Sequence, residues 1–212
     1  MIPYQFLGKT QLNLQPVVDL LLSSIVPLFT NFEYRNHICE LRSAESILTG
    51  SPPVFLDKEW QPEKQHLSSS KSYWCLPFKY DDNSAMFVVG GRAFLEAFPD
   101  IFLYNTVDPW YSKLRKFQEY PQIIITNGTS SKHIDLGSRS TAINTFMYNT
   151  DKSVTQFTKG NQNLGSIIYE PGDSYLIDVK TEHQIVQQTD DVRIVMSWGY
   201  KCPFSDALDL LK

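Results

Sequence analysis

The chain has 212 residues, 42% of them apolar and 20% charged, with a formal net charge of −4. This supplies enough apolar side chain for one folded domain over 1–212 and excludes a disordered chain, while an acidic balance without a dense Lys/Arg cluster offers no electrostatic footprint for nucleic acid. The three cysteines, Cys39, Cys75 and Cys202, are odd in number, far apart and without a CxxC pair, so they form neither a zinc knuckle nor a disulfide framework and fit a reducing compartment.

The first fifteen residues lack the basic region and apolar run of a signal peptide, and the apolar run at 17–26 carries Asp19 and is too short to span a bilayer. A cytoplasmic protein away from membranes is therefore expected. Residues 1–120 read as a mixed helix and strand part that supports a core. Pro16 opens a short helix through Val17, Leu20, Leu21 and Ser24. From Asn36 to Leu48, the side chains Ile38, Leu41, Glu45 and Leu48 share one side and Gly50 is a stop, which predicts a second helix. The polar segment 57–72 reads as an exposed loop or a lid. Tyr73 to Leu76 and Ala85 to Val89 read as strands. Asp108 and Pro109 open another helix as cap and first residue, with Trp110, Leu114 and Phe117 at helical spacing and Pro121 closing it.

From 121 to 200 the pattern is strand, turn, strand. Gln122 to Thr126 and Ser140 to Tyr148 are strand candidates; Pro171-Gly172-Asp173 is a turn followed by Ser174 to Val179. Gln184 to Gln188 and Val192 to Tyr200 complete the series. Short strands with turn signals at this spacing predict an antiparallel sandwich or barrel. Residues 201–212 form a tail able to make a short amphipathic helical turn.

Chemistry concentrates in this second half. His133 and Asp135 are two residues apart, and in an extended segment such residues point the same way, so an imidazole nitrogen and a carboxylate oxygen can reach one ion. His183 begins a later strand and is either a structural histidine or the partner of this pair. Two histidines and one carboxylate make the set that leaves octahedral positions open, as in non-haem Fe(II) centres that activate O₂; a closed zinc site needs a fourth ligand. Arg193 lies ten residues past His183. If Val192, Ile194 and Met196 pack outward, Arg193 and Ser197 point into the cavity with Val195 between them. A guanidinium inside a barrel is costly unless it meets a carboxylate, so a bound dicarboxylate is the natural partner.

The order His133-x-Asp135, His183, Arg193, together with the strand-like PGDSYLIDVKTEHQIVQQTDDVRIVMSWGY, resembles the Fe(II)- and 2-oxoglutarate-dependent oxygenase superfamily over roughly residues 122–200. The look is similar to its prolyl-hydroxylase-like and aspartyl/asparaginyl-hydroxylase-like branches alike. The resemblance implies a mainly β fold with supporting helices, a double-stranded β-helix or cupin-like jelly roll. It implies that His133, Asp135 and His183 bind Fe(II), that 2-oxoglutarate chelates the ion and pairs with Arg193, that Ser197 adds a hydrogen bond to the far carboxylate, and that O₂ is the co-reactant. The implied reaction is hydroxylation of a small-molecule or peptide substrate with release of succinate and CO₂. Asn144 and Tyr148 either touch the cosubstrate or sit at the core edge. Lys132 and Arg139 either bind an acidic substrate group or are solvated loop charges. A cupin-like small-molecule binding protein without oxygenase activity is the alternative of the same shape.

Overall fold

The computed structural model describes residues 2–25, 108–135, 137–149, 152–189 and 191–212, and the backbone of strands at 39–41, 54–55, 73–79 and 85–90. The strands are β1 (Tyr4–Lys9), β2 (Cys39–Leu41), β3 (Val54–Phe55), β4 (Tyr73–Lys79), β5 (Ala85–Gly90), β6 (Gln118–Asn127), β7 (Thr141–Tyr148), β8 (Ser153–Lys159), β9 (Gln162–Ile168), β10 (Asp173–Asp178), β11 (Glu182–Gln187) and β12 (Arg193–Tyr200). Among the described residues the α-helices are α1 (Gln15–Leu20), α2 (Pro109–Leu114) and α3 (Phe204–Leu211).

Among the described residues, nine strands form one large sheet in the order β1-β10-β7-β12-β6-β5-β4-β2-β3, and three form a small sheet, β11-β8-β9. All pairings are antiparallel. From β6 onward the chain alternates between the sheets. It leaves β6, runs along the edge of the small sheet near His133, returns as β7, makes the β8–β9 hairpin, returns as β10, crosses to β11 and ends on β12. This winding is a double-stranded β-helix, the jelly-roll architecture.

The side-chain alternation of β12 decides what lies on each face. Ile194, Met196, Trp198 and Tyr200 pack with Val17, Val18, Leu21, Tyr111, Leu114 and Phe204 under the helices. Val195 instead packs with Ala142, Phe146, Phe157, Ile167, Tyr169, Ile177 and Val179 between the two sheets. The large sheet is thus covered by helices on one face and by the small sheet on the other, and every residue of β12 is buried. Burying each large apolar side chain contributes about 1.5–3 kcal/mol, so both layers are strongly held.

Several local expectations change. Residues 39–41 form β2, paired with β3 and β4, where helical periodicity predicted a helix; long-range ladder bonds override a weak local preference. The rest of that predicted helix, and the segment 57–72, lie outside the described residues. Pro121 does not close a helical segment but sits inside β6, opposite Trp198. Asp108 is the N-cap residue of α2 by position, yet its side chain does not cap. Its carboxylate accepts instead from the Thr10 hydroxyl and, at 3.2 Å, from the Gln11 amide. The N-terminal segment supplies β1 at the edge of the large sheet, and the tail supplies α3, which packs into the helical layer.

Candidate metal centre

The segment following β6 is tied to β11 rather than left as a free loop. The Ser130 amide donates to the Ile185 carbonyl at 2.9 Å, and the Ile185 amide donates to the Ser130 hydroxyl at 2.8 Å. His133 and His183 exchange both backbone hydrogen bonds, at 2.9 and 2.8 Å, and the Asp135 amide donates to the Val179 carbonyl at 2.9 Å. Residues directly opposite in an antiparallel pair share a face, and residues two apart in an extended segment do too. Sheet geometry alone therefore puts His133, Asp135 and His183 on one side.

The side chains then converge. His133 Nδ1 lies 2.8 Å from the Ser131 carbonyl and His183 Nδ1 lies 2.8 Å from the Thr181 carbonyl. A carbonyl only accepts, so each Nδ1 carries a proton, and the tautomer this selects presents its lone pair at Nε2. These Nε2 atoms stand 3.9 and 3.8 Å from Asp135 Oδ1. That is too long for a hydrogen bond, yet two ligands about 2.1 Å from a shared ion can stand up to about 4.2 Å apart. The three ligand atoms lie within 4.8 Å of one another. Burial, with the nearby His133 and Arg139, lowers the His183 pKa against the opposing Thr181 carbonyl and Asp135 charge, which favours the neutral, metal-binding ring. Two imidazoles, anchored from behind, and one carboxylate oxygen fit a divalent first-row metal with open positions.

The remaining predicted residues line β7 and β12. Arg193 is only 2% exposed, and its guanidinium carbon sits 5.3 Å from the ring centres of both Phe146 and Tyr169. Burial pushes the Tyr169 phenol up to about 12, against the pull of the Arg193 charge. Ser197 and Asn144 are register partners on the inner face, and Ser197 Oγ and Asn144 Oδ1 are buried without a hydrogen-bond partner among the described residues. Ser197 lies two inward positions from Arg193, with Val195 between. Tyr148 does not join them. A register shift between Ile194 and Val195 places it opposite Ile194, which faces the helical layer, and leaves it 36% exposed. The bulge reverses the alternation that would have grouped Tyr148 with Asn144 and Phe146.

Lys132 is exposed. Arg139 is not a solvated loop charge: its Nη2 lies 2.6 Å from Asp135 Oδ2, with the side chains only 16% and 22% exposed. Lys180 Nζ donates to the Asp135 and Gly137 carbonyls at 2.8 and 3.0 Å, tying down the backbone around and after Asp135. Neither contact has a signal in the sequence: a four-residue spacing brings side chains together on a helix, and residues 137–140 are not helical. No helix among the described residues is long and apolar enough to cross a membrane.

No protein-family model and no curated protein sequence matches the chain. Among solved structures, it is similar to an oxidoreductase of the 2OG-Fe(II) oxygenase family from Burkholderia pseudomallei, with a TM-score of 0.46, 9% identity, and 59% of this chain and 72% of that one covered. It is also similar to a Pseudomonas putida prolyl-4-hydroxylase, with a TM-score of 0.38, 10% identity, and 59% and 77% covered. A third is an oxalate decarboxylase of Lactobacillus farciminis, with a TM-score of 0.35, 12% identity, and 59% and 31% covered. These scores and identities are low, so the chemistry of the site rests on its own residues.

Proposed function

We propose that this protein is a non-haem Fe(II)- and 2-oxoglutarate-dependent dioxygenase that hydroxylates a small-molecule or peptide substrate and releases succinate and CO₂. The observation that carries this reading is the convergence of His133 Nε2, His183 Nε2 and Asp135 Oδ1, each fixed from behind by a different backbone or side-chain contact. Fe(II) held there would supply O₂ activation coupled to decarboxylation of a bound keto acid.

The chain's own residues have distinct tasks in this reading. The Nδ1 bonds to Ser131 and Thr181 hold the rings in one tautomer and orientation. Asp135 supplies the one negative ligand. Arg193, buried against two aromatic rings on the inner wall, supplies a permanent positive charge that selects an anionic cosubstrate. Ser197 Oγ, on the same inner wall, offers a hydroxyl donor to it, and its register partner Asn144 offers a side-chain amide N–H. Phe157, its ring 5.8 Å from that of His183, excludes water from one side.

The test is anaerobic addition of Fe(II) and 2-oxoglutarate. A weak visible charge-transfer band, followed on exposure to air by succinate release over a panel of amino acids and peptides, is expected. Absence of both the band and a 2-oxoglutarate-dependent thermal shift sinks the proposal and leaves the cupin-like binding protein.

A further inference from the structure

We infer that Arg139 is a positioning residue of the metal centre, and that Gly199 is glycine because the Arg139 side chain passes over it. The inference rests on the reading of His133, Asp135 and His183 as ligands. In it, Arg139 holds one oxygen of Asp135 so that the other alone faces the ion.

The two carboxylate oxygens of Asp135 are used differently. Oδ1 faces the two imidazoles at 3.8 and 3.9 Å, whereas Oδ2 meets Arg139 Nη2 at 2.6 Å. A charge-assisted bond of that length is among the strong ones, and it occupies the oxygen that a metal would need for bidentate binding. A monodentate Asp135 leaves one more coordination position for cosubstrate.

The path of Arg139 is built into a strand sixty residues away in sequence. A Cβ added at Gly199 on β12 would stand 2.5 Å from Arg139 Cδ and 3.0 Å from Cγ. These are mid-stem atoms, so the whole side chain would have to leave. Gly199 is not among the glycines with positive φ, so its backbone accepts any residue and the requirement is for space. Ahead of the guanidinium, Nη1 donates to Gln122 Oε1 at 3.3 Å on the neighbouring strand. The backbone on either side is also fixed. Ser138 Oγ donates to Glu119 at 2.6 Å, and Lys180 clamps the carbonyls of Asp135 and Gly137. A freely solvated surface ion pair typically contributes little; this one is laid across β12 at Gly199.

The experiment is a Co(II) titration of the full chain, read by d–d absorption, for wild type, R139Q, R139K, G199A and the R139Q/G199A double variant. Outer-shell partners of metal ligands typically cost about 10- to 100-fold in affinity when removed, and R139Q and G199A are each expected to lose that much. Their band intensity should change as well, because Asp135 is released to bind through both oxygens. R139K is expected to recover part of the loss, and the double variant should bind no more weakly than R139Q, because both changes remove one contact. R139Q binding Co(II) with wild-type affinity and spectrum, or losses that add in the double variant, overturns the inference. Failure of the wild type itself to bind Co(II) is a different result: it removes the metal reading on which the inference stands.

Discussion

His133 and His183 exchange both backbone hydrogen bonds, at 2.9 and 2.8 Å, and their rings stand 4.5 Å apart. The two candidate nitrogen ligands are therefore registered by main-chain pairing at the edge of the small sheet, not by packing of their own rings. Ligand placement and fold stability are separable as a result.

That separation makes the first prediction. His133→Ala and Asp135→Ala should each abolish Fe(II) retention, measured as metal content after gel filtration under nitrogen. Thermal stability without metal should change by about 1 kcal/mol or less in His133→Ala, whose side chain is partly exposed and whose backbone bonds survive, and by more in Asp135→Ala, which leaves the Arg139 guanidinium without its carboxylate. A variant that still carries one Fe(II) per chain would show that the ion is held elsewhere.

Arg193 makes the second. Arg193→Met keeps an unbranched apolar stem on the inner wall while deleting the guanidinium that sits by Phe146 and Tyr169, and with it the charge. Losing one member of a buried charge pair typically costs 2–5 kcal/mol, so KM for 2-oxoglutarate should rise roughly 30-fold or more. The 2-oxoglutarate-dependent thermal shift should vanish, and Fe(II) content should stay at the wild-type level because Arg193 is not a ligand. A fall in kcat at unchanged KM would place the anion away from Arg193.

The third concerns alkaline pH. The buried Tyr169 phenol titrates at about 12, above the value of about 10 expected in the unfolded chain. A raised acid contributes stability that is complete below the unfolded value and is lost as pH rises through the folded one. Tyr169 should therefore add a downward slope between pH 10 and 12, on the order of 2–3 kcal/mol in all. Urea unfolding across that range reads it. Tyr169→Phe should flatten the slope, and an unchanged slope in the variant would mean that the phenol is not the group responsible.

Much of the site was legible because its signals are local or repeat with period two. The His133-x-Asp135 spacing needs only an extended segment. The faces of β12 are legible although both are buried, because Arg193 and Ser197 interrupt its apolar run an even number of residues apart and fall on the face opposite Ile194 and Met196. The turn at Gly172, with φ +89, ends where β10 begins. What escaped depends on partners far along the chain. The bulge that turns Tyr148 away exists only in register with Ile194 and Val195. The strand at Cys39–Leu41 is stabilised by ladders to β3 and β4, which helical periodicity cannot report. The role of Arg139 required the gap at Gly199 on another strand.

The final prediction concerns the support behind the centre. Gly165 on β9 has φ +139, and a Cβ there would stand 2.8 Å from Tyr4 Oη. Tyr4 donates to the Ser166 carbonyl at 3.1 Å and lies 5.3 Å ring to ring from Phe157, the residue beside His183. Gly165→Ala thus combines backbone strain of about 1–3 kcal/mol with displacement of Tyr4. For a chain of this size the melting temperature should fall by roughly 2–10 °C. Tyr4→Ala in the same background should remove the crowding but not the strain, so the two losses should sum to more than the double variant shows. Fe(II) affinity at 25 °C should be unchanged, because His183 is held through its backbone pairing with His133. A Gly165→Ala protein that melts with the wild type would show that β9 does not adopt this backbone conformation, and one that loses Fe(II) while folded would show that the Tyr4–Phe157 packing, not the main-chain bridge, sets the position of His183.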